Sequence, residues 1–315
     1  MEGIVVNQDF KAFYFKTKII LADDNKLFLN ALNNKLSKRY QVNSFSDPYI
    51  AIDYITSNYE ENLITSASNF VAEAINEEDD NSNYYSVQFS KIERLVDNPR
   101  KNNTISVIIV DYSMPLMNGT EFCEKIAHLP ILKIMLTGHA DFNIAIDAFN
   151  RGIIDRFLIK DSTNMYESIT EGIDIMQNKF FEKLSSPLLN CLPVNKNTLI
   201  NSYEYKQHFR DIVRQLKVIE YYMLDALGSY LIITDQGVRY YFVVLLDKQL
   251  DEFIDIAENS HATPDLFKKI KNKTHAPILL KEEDYKIPVS NWNTILHPLE
   301  KANEYYYCLI PINKR

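Results

Sequence analysis

Glycine is scarce in this chain, with 7 in 315 residues. That excludes collagen-like and glycine-rich repeat architectures. Cysteine is scarcer still: Cys123, Cys191 and Cys308 are far apart and odd in number, which argues against a disulfide framework and for a reducing compartment. No apolar run reaches the ~18 residues of a membrane helix. Acidic and polar residues interrupt Met1 to Lys18, so no secretion signal is expected. An excess of basic charge is also missing. The formal net charge of -8 argues against a general nucleic-acid or anionic-membrane binder. No two of the six histidines stand at metal-ligand spacing, so no zinc site is expected. These absences predict a cytoplasmic protein with no nucleic acid and no membrane among its partners.

What is present is an ordinary globular composition, 46% hydrophobic and 24% charged, over a length sufficient for two domains. The first part alternates strands and helices. Lys18 to Asp24 reads as a strand closed by two carboxylates, with an amphipathic helix after it. Tyr40 to Phe45 reads as a short strand, and Ser46-Asp47-Pro48 as a helix start. Ile105 to Asp111 reads as a buried strand in which four apolar residues, Val107 to Val110, run straight into an aspartate, followed at once by the turn signals Met114-Pro115 and Asn118-Gly119. Leu132 to Gly138 and Arg156 to Lys160 complete the set. The alternation predicts a doubly wound parallel α/β sheet of five strands. Residues 57–104 read as a helical insert with an acidic tip at Glu77 to Asp80, and residues 162–184 as a long connecting helix capped by Ser162. Ser185-Ser186-Pro187 to Pro193 reads as the domain boundary.

In a doubly wound sheet, the carboxyl ends of the strands converge on one crevice. Here those ends carry Asp23-Asp24, Asp111, Thr137 and Lys160. A carboxylate at such an edge can be a nucleophile, a metal ligand or a helix cap. Three together repel: at ~4 Å two like charges cost about 4 kcal/mol at an effective dielectric of 20. A hard divalent cation relieves that, and few protein ligands plus water suits Mg²⁺. A carboxylate nucleophile beside a metal, an ammonium and a hydroxyl makes a phosphoryl-transfer site whose product is an acyl phosphate on aspartate.

The same stretches, Asp23-Asp24, Val110 to Gly119, Leu136-Thr137-Gly138 and Phe157-Leu158-Ile159-Lys160, taken in this order, resemble the receiver domain of two-component response regulators. The resemblance covers residues 18–184. It implies that Asp111 is the phosphoacceptor, charged by a sensor histidine kinase or a phosphotransfer protein. It implies that Asp23, Asp24 and Asp111, with the backbone carbonyl of Ser113, hold Mg²⁺. Thr137 and Lys160 would bind phosphoryl oxygens. Phe157 would be the switch aromatic, for which an ordinary core phenylalanine is the competing reading. Ser113 and His139 would flank the phosphate and tune its lifetime. Two departures stand out: Asp161 follows the lysine where the family usually has proline, and the insert is unusual.

Residues 196–315 read differently. Helix Tyr203 to Glu220 precedes strands at Tyr221 to Ala226, Tyr230 to Thr234 and Val238 to Leu246. Helices follow at Gln249 to Ala257 and Pro264 to Lys271, then strands at Pro277 to Leu280 and Tyr305 to Ile310. Tight turns between neighbouring strands predict an α+β domain with an antiparallel sheet. From Ser186 onward there are sixteen Lys/Arg and sixteen Asp/Glu, so no basic face announces a DNA-binding output. The element order resembles sensory modules of the PAS type, which implies an interaction or ligand-sensing role, often as a homodimer. Trp292 reads as a core residue. No enzymatic motif is visible beyond the receiver's own phosphorylation and dephosphorylation chemistry. The leading expectation is a response regulator that switches a protein-interaction or dimerisation surface; the alternative is an unrecognised enzymatic output in the C-terminal domain.

Overall fold

The computed structural model describes residues 11–60, 67–74, 84–138, 141–192 and 199–312. The chain divides into two compact units, Met1–Leu192 and Pro193–Arg315. No helix among the described residues is long and apolar enough to cross a membrane.

The first unit opens with a two-residue strand, β1 (Phe13–Tyr14), and then alternates. β2 (Lys18–Ala22), α1 (Lys26–Leu36), β3 (Gln41–Phe45) and α2 (Pro48–Glu60) lead into the insert. After it come β6 (Ile105–Asp111), α4 (Gly119–Lys125), β7 (Leu132–Thr137), α5 (Phe142–Asn150), β8 (Arg156–Ile159) and α6 (Met165–Asn190). The parallel strands lie in the order β3-β2-β6-β7-β8, the five-stranded doubly wound sheet that the alternation predicts. β6 is central and all seven of its residues are buried, which is why Val107 to Val110 run apolar without alternation. On one face of the sheet Ile20, Ile108, Val110 and Met135 pack with Ile55, Phe122, Cys123 and Ala148.

The insert differs from its sequence reading. It holds a two-stranded antiparallel pair, β4 (Val71–Ala74) and β5 (Tyr84–Val87), followed by the short helix α3 (Phe89–Arg94). Phe70, Val71 and Ala74 suit a helical period, but a window this short does not separate helix from strand, and Val71, Tyr84, Tyr85 and Val87 are strand formers. The acidic tip Glu77 to Asp80 lies outside the described residues.

The connecting helix is also longer than the expected 162–184. α6 starts after Asn164, not at Ser162, and runs through Pro187 to Asn190. Proline removes one backbone bond, a cost of ~3 kcal/mol in a helix interior. Leu184, Ser185 and Leu188 stay buried on either side of it, and the Ser185 hydroxyl accepts the Ala12 N–H at 3.0 Å, so packing holds the helix together past the proline.

In the second unit α7 (Tyr203–Gln215) ends where Lys217 turns into the left-handed region, φ 49°, so the chain enters β9 (Val218–Met223) earlier than the sequence reading places it. β10 (Tyr230–Thr234), β11 (Arg239–Leu245), α8 (Asp247–Asn259) and α9 (Pro264–Lys271) follow. Then come β12 (His275–Pro277), β13 (Leu296–Pro298), β14 (Glu300–Ala302) and β15 (Tyr305–Ile312). The strands of the main sheet run β9-β10-β11-β15-β14, each antiparallel to its neighbour, and β12 pairs with β13 separately. Aromatic rings of α7 meet aromatic rings of the sheet, Phe209 lying 4.5 Å from Tyr230 and 5.5 Å from Tyr221. Trp292 is core, 5% exposed among Ala257, Leu266 and Ile270.

Candidate functional site

Register sets the site. Ala22 of β2 pairs with Val110 of β6, so Asp23 emerges level with Asp111. Asp111 pairs with Leu136 of β7, and Thr137 pairs with Ile159 of β8, so Thr137 emerges one residue further along and Lys160 two. All leave the sheet at the same edge. Oxygens of Asp23, Asp24 and Asp111 lie within 4.8 Å of one another. The Lys160 ammonium sits between two of them, 2.7 Å from Asp23 Oδ2 and 2.9 Å from Asp111 Oδ1.

Three carboxylates against one ammonium leave a formal charge of -2. Asp23 and Asp111 are buried, at 3% and 6% exposure, and Asp24 is exposed. Burial raises the Asp23 carboxyl above its ordinary range; Lys160 pulls it back and Asp111 pushes it further up. Burial alone would lower Lys160, but its contacts with Asp23 and Asp111 win and raise it. Asp23 Oδ2 is buried and meets Lys160 as a close charge contact without a well-aligned hydrogen bond. A hard oxygen donor set and an excess of two negative charges over the one ammonium fit one divalent cation of the Mg²⁺ kind.

The surrounding residues are placed as follows. Thr137 is fully buried and its hydroxyl donates to the Gly138 carbonyl at 3.1 Å. The Ser113 hydroxyl donates to Asp141 Oδ2 at 3.1 Å across the mouth of the site. Gly119 closes the loop after β6 so tightly that a Cβ there would lie 2.5 Å from the Asp111 carbonyl oxygen. Phe157 is half-buried on β8, its ring edge-on to Phe142 at 5.5 Å and to Phe149 at 6.2 Å on α5. His139 lies outside the described residues.

Three neighbours have no place in the sequence reading. Asn25 caps α1, its side chain accepting from Phe28 N–H at 3.1 Å, while its own N–H donates to Asp23 Oδ1 at 2.9 Å. The Phe28 ring lies under the Lys160 ammonium, 4.8 Å from it. Asp141 is the third. The signal for Asn25 was available, an asparagine just ahead of an amphipathic helix; the signal for the other two is spatial.

A family model described as the response regulator receiver domain matches residues 63–169, which include Asp111, Thr137 and Lys160. Among solved structures, the Legionella pneumophila response regulator LqsR aligns at 25% identity, covering 96% of this chain and 90% of that chain, with a TM-score of 0.73. Residues 63–169 thus match a response regulator receiver domain, and over nearly its whole length the chain is similar to a solved response regulator. A receiver domain protein from Clostridium thermocellum (20% identity, 53% of this chain, 95% of that one, TM-score 0.34) and an adenylate cyclase from Rhodopirellula baltica (23%, 55%, 95%, 0.35) also align, but at those scores neither adds to the reading. No curated protein matches the sequence. The receiver match begins inside the insert, so Asp23 and Asp24 join the receiver through the sheet rather than through the matched segment.

Proposed function

We propose that the receiver accepts a phosphoryl group on Asp111 from a phosphohistidine of a sensor kinase or phosphotransfer protein. The observation that carries this is the convergence of Asp23, Asp24 and Asp111 around Lys160 at one sheet edge. An Asp111 carboxylate oxygen attacks phosphorus, the P–N bond to the donor imidazole breaks, and the imidazole leaves, taking a proton from solvent. Asp23, Asp24, Asp111 and the backbone carbonyl of Ser113 would hold Mg²⁺, which supplies charge neutralisation of the phosphoryl oxygens. Lys160 moves its contact from Asp111 to a phosphoryl oxygen. The Thr137 hydroxyl leaves the Gly138 carbonyl for another. The space vacated draws Phe157 inward, away from Phe142 and Phe149, and alters the face made by α5, β8 and the start of α6. The second unit, PAS-like in element order, reads that change as an interaction or homodimerisation module.

The test is uptake of label from a small phosphodonor such as acetyl phosphate with Mg²⁺, together with oligomeric state in beryllofluoride. Wild type should take up acid-stable, base-labile phosphate and shift its association; Asp111→Asn should do neither. Label or a shift that survives Asp111→Asn would sink the reading.

A further inference from the structure

The contacts around Lys160 form a closed ring. Asp23 Oδ1 accepts from Asn25 N–H at 2.9 Å, and the Asn25 side chain accepts from Phe28 N–H at 3.1 Å. The Phe28 ring faces the Lys160 ammonium at 4.8 Å, and that ammonium returns to Asp23 Oδ2 at 2.7 Å. The helix cap that starts α1 therefore fixes where the ring stands, and it does so from the same aspartate that binds the lysine. Leu27, the residue before, points outward at 84% exposure, while Phe28 is half-buried against the site.

We propose that Phe28 is a positioning residue for Lys160: its ring face holds the ammonium at the carboxylate cluster while the lysine exchanges Asp111 for an incoming phosphoryl oxygen. The proposal rests on the phosphoryl-transfer reading of the site. Its physics is that of a cation over an aromatic face within ~6 Å, an attraction that strengthens as water is excluded. A carboxylate in that place would grip the lysine in one direction and add charge. A ring attracts without fixing direction, so Lys160 can pivot between Asp111 Oδ1 and a phosphoryl oxygen without leaving the site. The ring also covers the α1 side of the ammonium, which keeps the Lys160 contacts in a less polar setting where they are stronger.

Leucine at this position keeps the bulk and loses the face; tyrosine keeps both. Two readouts apply to the full chain: affinity for beryllofluoride with Mg²⁺, and the rate constant for phosphorylation by acetyl phosphate. Phe28→Leu should lower both by about three- to tenfold, and Phe28→Tyr should restore most of the loss. In a Lys160→Ala background, measured at high acetyl phosphate, Phe28→Leu should have no further effect, because the ring acts through the lysine. A Phe28→Leu protein that equals wild type in both readouts overturns the proposal. So does an equal drop in the Lys160→Ala background, which would mark Phe28 as packing alone. A wild type that takes up neither reagent takes down the site reading and this proposal together; a labelled wild type with an indifferent Phe28→Leu takes down this proposal only.

Discussion

In the receiver unit, the buried polar side chains Asp23, Asp111 and Thr137 crowd one edge of a parallel sheet, where two carboxylates share a single lysine. In the second unit the large buried polar side chains are phenols spread through an antiparallel core. Tyr205 donates to the Gly228 carbonyl, Tyr222 to Glu220 at 2.7 Å, and Tyr305 meets His208 Nδ1 at 2.5 Å. Burial pushes Tyr205 and Tyr230 well above the ordinary phenol range and lowers His208, so these groups stay neutral and serve as tied-off core. A phenol brings a large apolar body and one hydroxyl that a single partner satisfies. Three carboxylates with one lysine between them keep an excess of negative charge that a cation would offset. The difference separates a unit whose buried charges gather at one sheet edge from one whose buried hydroxyls are dispersed through its core.

Two glycines sharpen that contrast. Gly228 sits at φ +95°, and a Cβ there would lie 2.6 Å from the Tyr205 hydroxyl and 2.7 Å from Ile200. Gly228→Ala should cost about 2–3 kcal/mol in urea unfolding, from overpacking and the left-handed backbone together, and should leave Mg²⁺ affinity unchanged. Gly119→Ala presses on the Asp111 carbonyl instead. It should cost a similar amount and also weaken Mg²⁺ binding. Equal Mg²⁺ affinity in the two variants would break the distinction.

Next in size is stabilisation by the cation itself. At ten times its Kd, Mg²⁺ should stabilise the folded chain by about 1.4 kcal/mol, a rise of a few degrees in Tm. The rise carries a pH signature. Because burial raises the Asp23 carboxyl, the folded state binds that proton more tightly than the unfolded chain. Stability from this group therefore falls as pH rises from the ordinary carboxylate value through the raised one. A bound cation favours the carboxylate and removes the loss, so the Mg²⁺ increment in Tm should grow with pH across that window. Asp23→Asn should flatten the growth; an increment independent of pH in wild type would count against the cluster as the binding site.

The smallest effect compares thiols. Burial pushes Cys123 in the receiver and Cys308 in the second unit up to about 12. Cys191, at the end of α6, is only partly buried. Alkylation with iodoacetamide at neutral pH should modify Cys191 and spare the other two until the chain unfolds, read by mass spectrometry of peptides.

The receiver was legible in the sequence because its signals are local and repeated. An apolar run ending in a polar residue marks a buried parallel strand, and four such ends share an edge by topology alone. What escaped was whatever depends on a second strand or on rotation about a helix axis. β4 and β5 stabilise each other across a gap of nine residues, so neither announces itself alone. In α1 the inward stripe is Leu29, Leu32 and Leu36, while the equally apolar Leu27 is 84% exposed. In α5, Ala145 and Ala148 face in, while the larger Ile144 and Phe149 are 42% and 48% exposed. The contact of Phe28 with Lys160 joins residues in the first and last parts of the receiver, and no spacing in the sequence encodes it.

The insert leaves the receiver after α2 and returns at Ile105, where β6 begins. Asp111 stands at the other end of that seven-residue strand, six residues on, a distance of about 20 Å at ~3.3 Å per residue. Extra sequence has thus entered the fold at the margin remote from the carboxylates. Length there is nearly free of consequence for the carboxylate edge, which makes the insert a natural berth for a fluorophore or an affinity handle that watches the site without entering it.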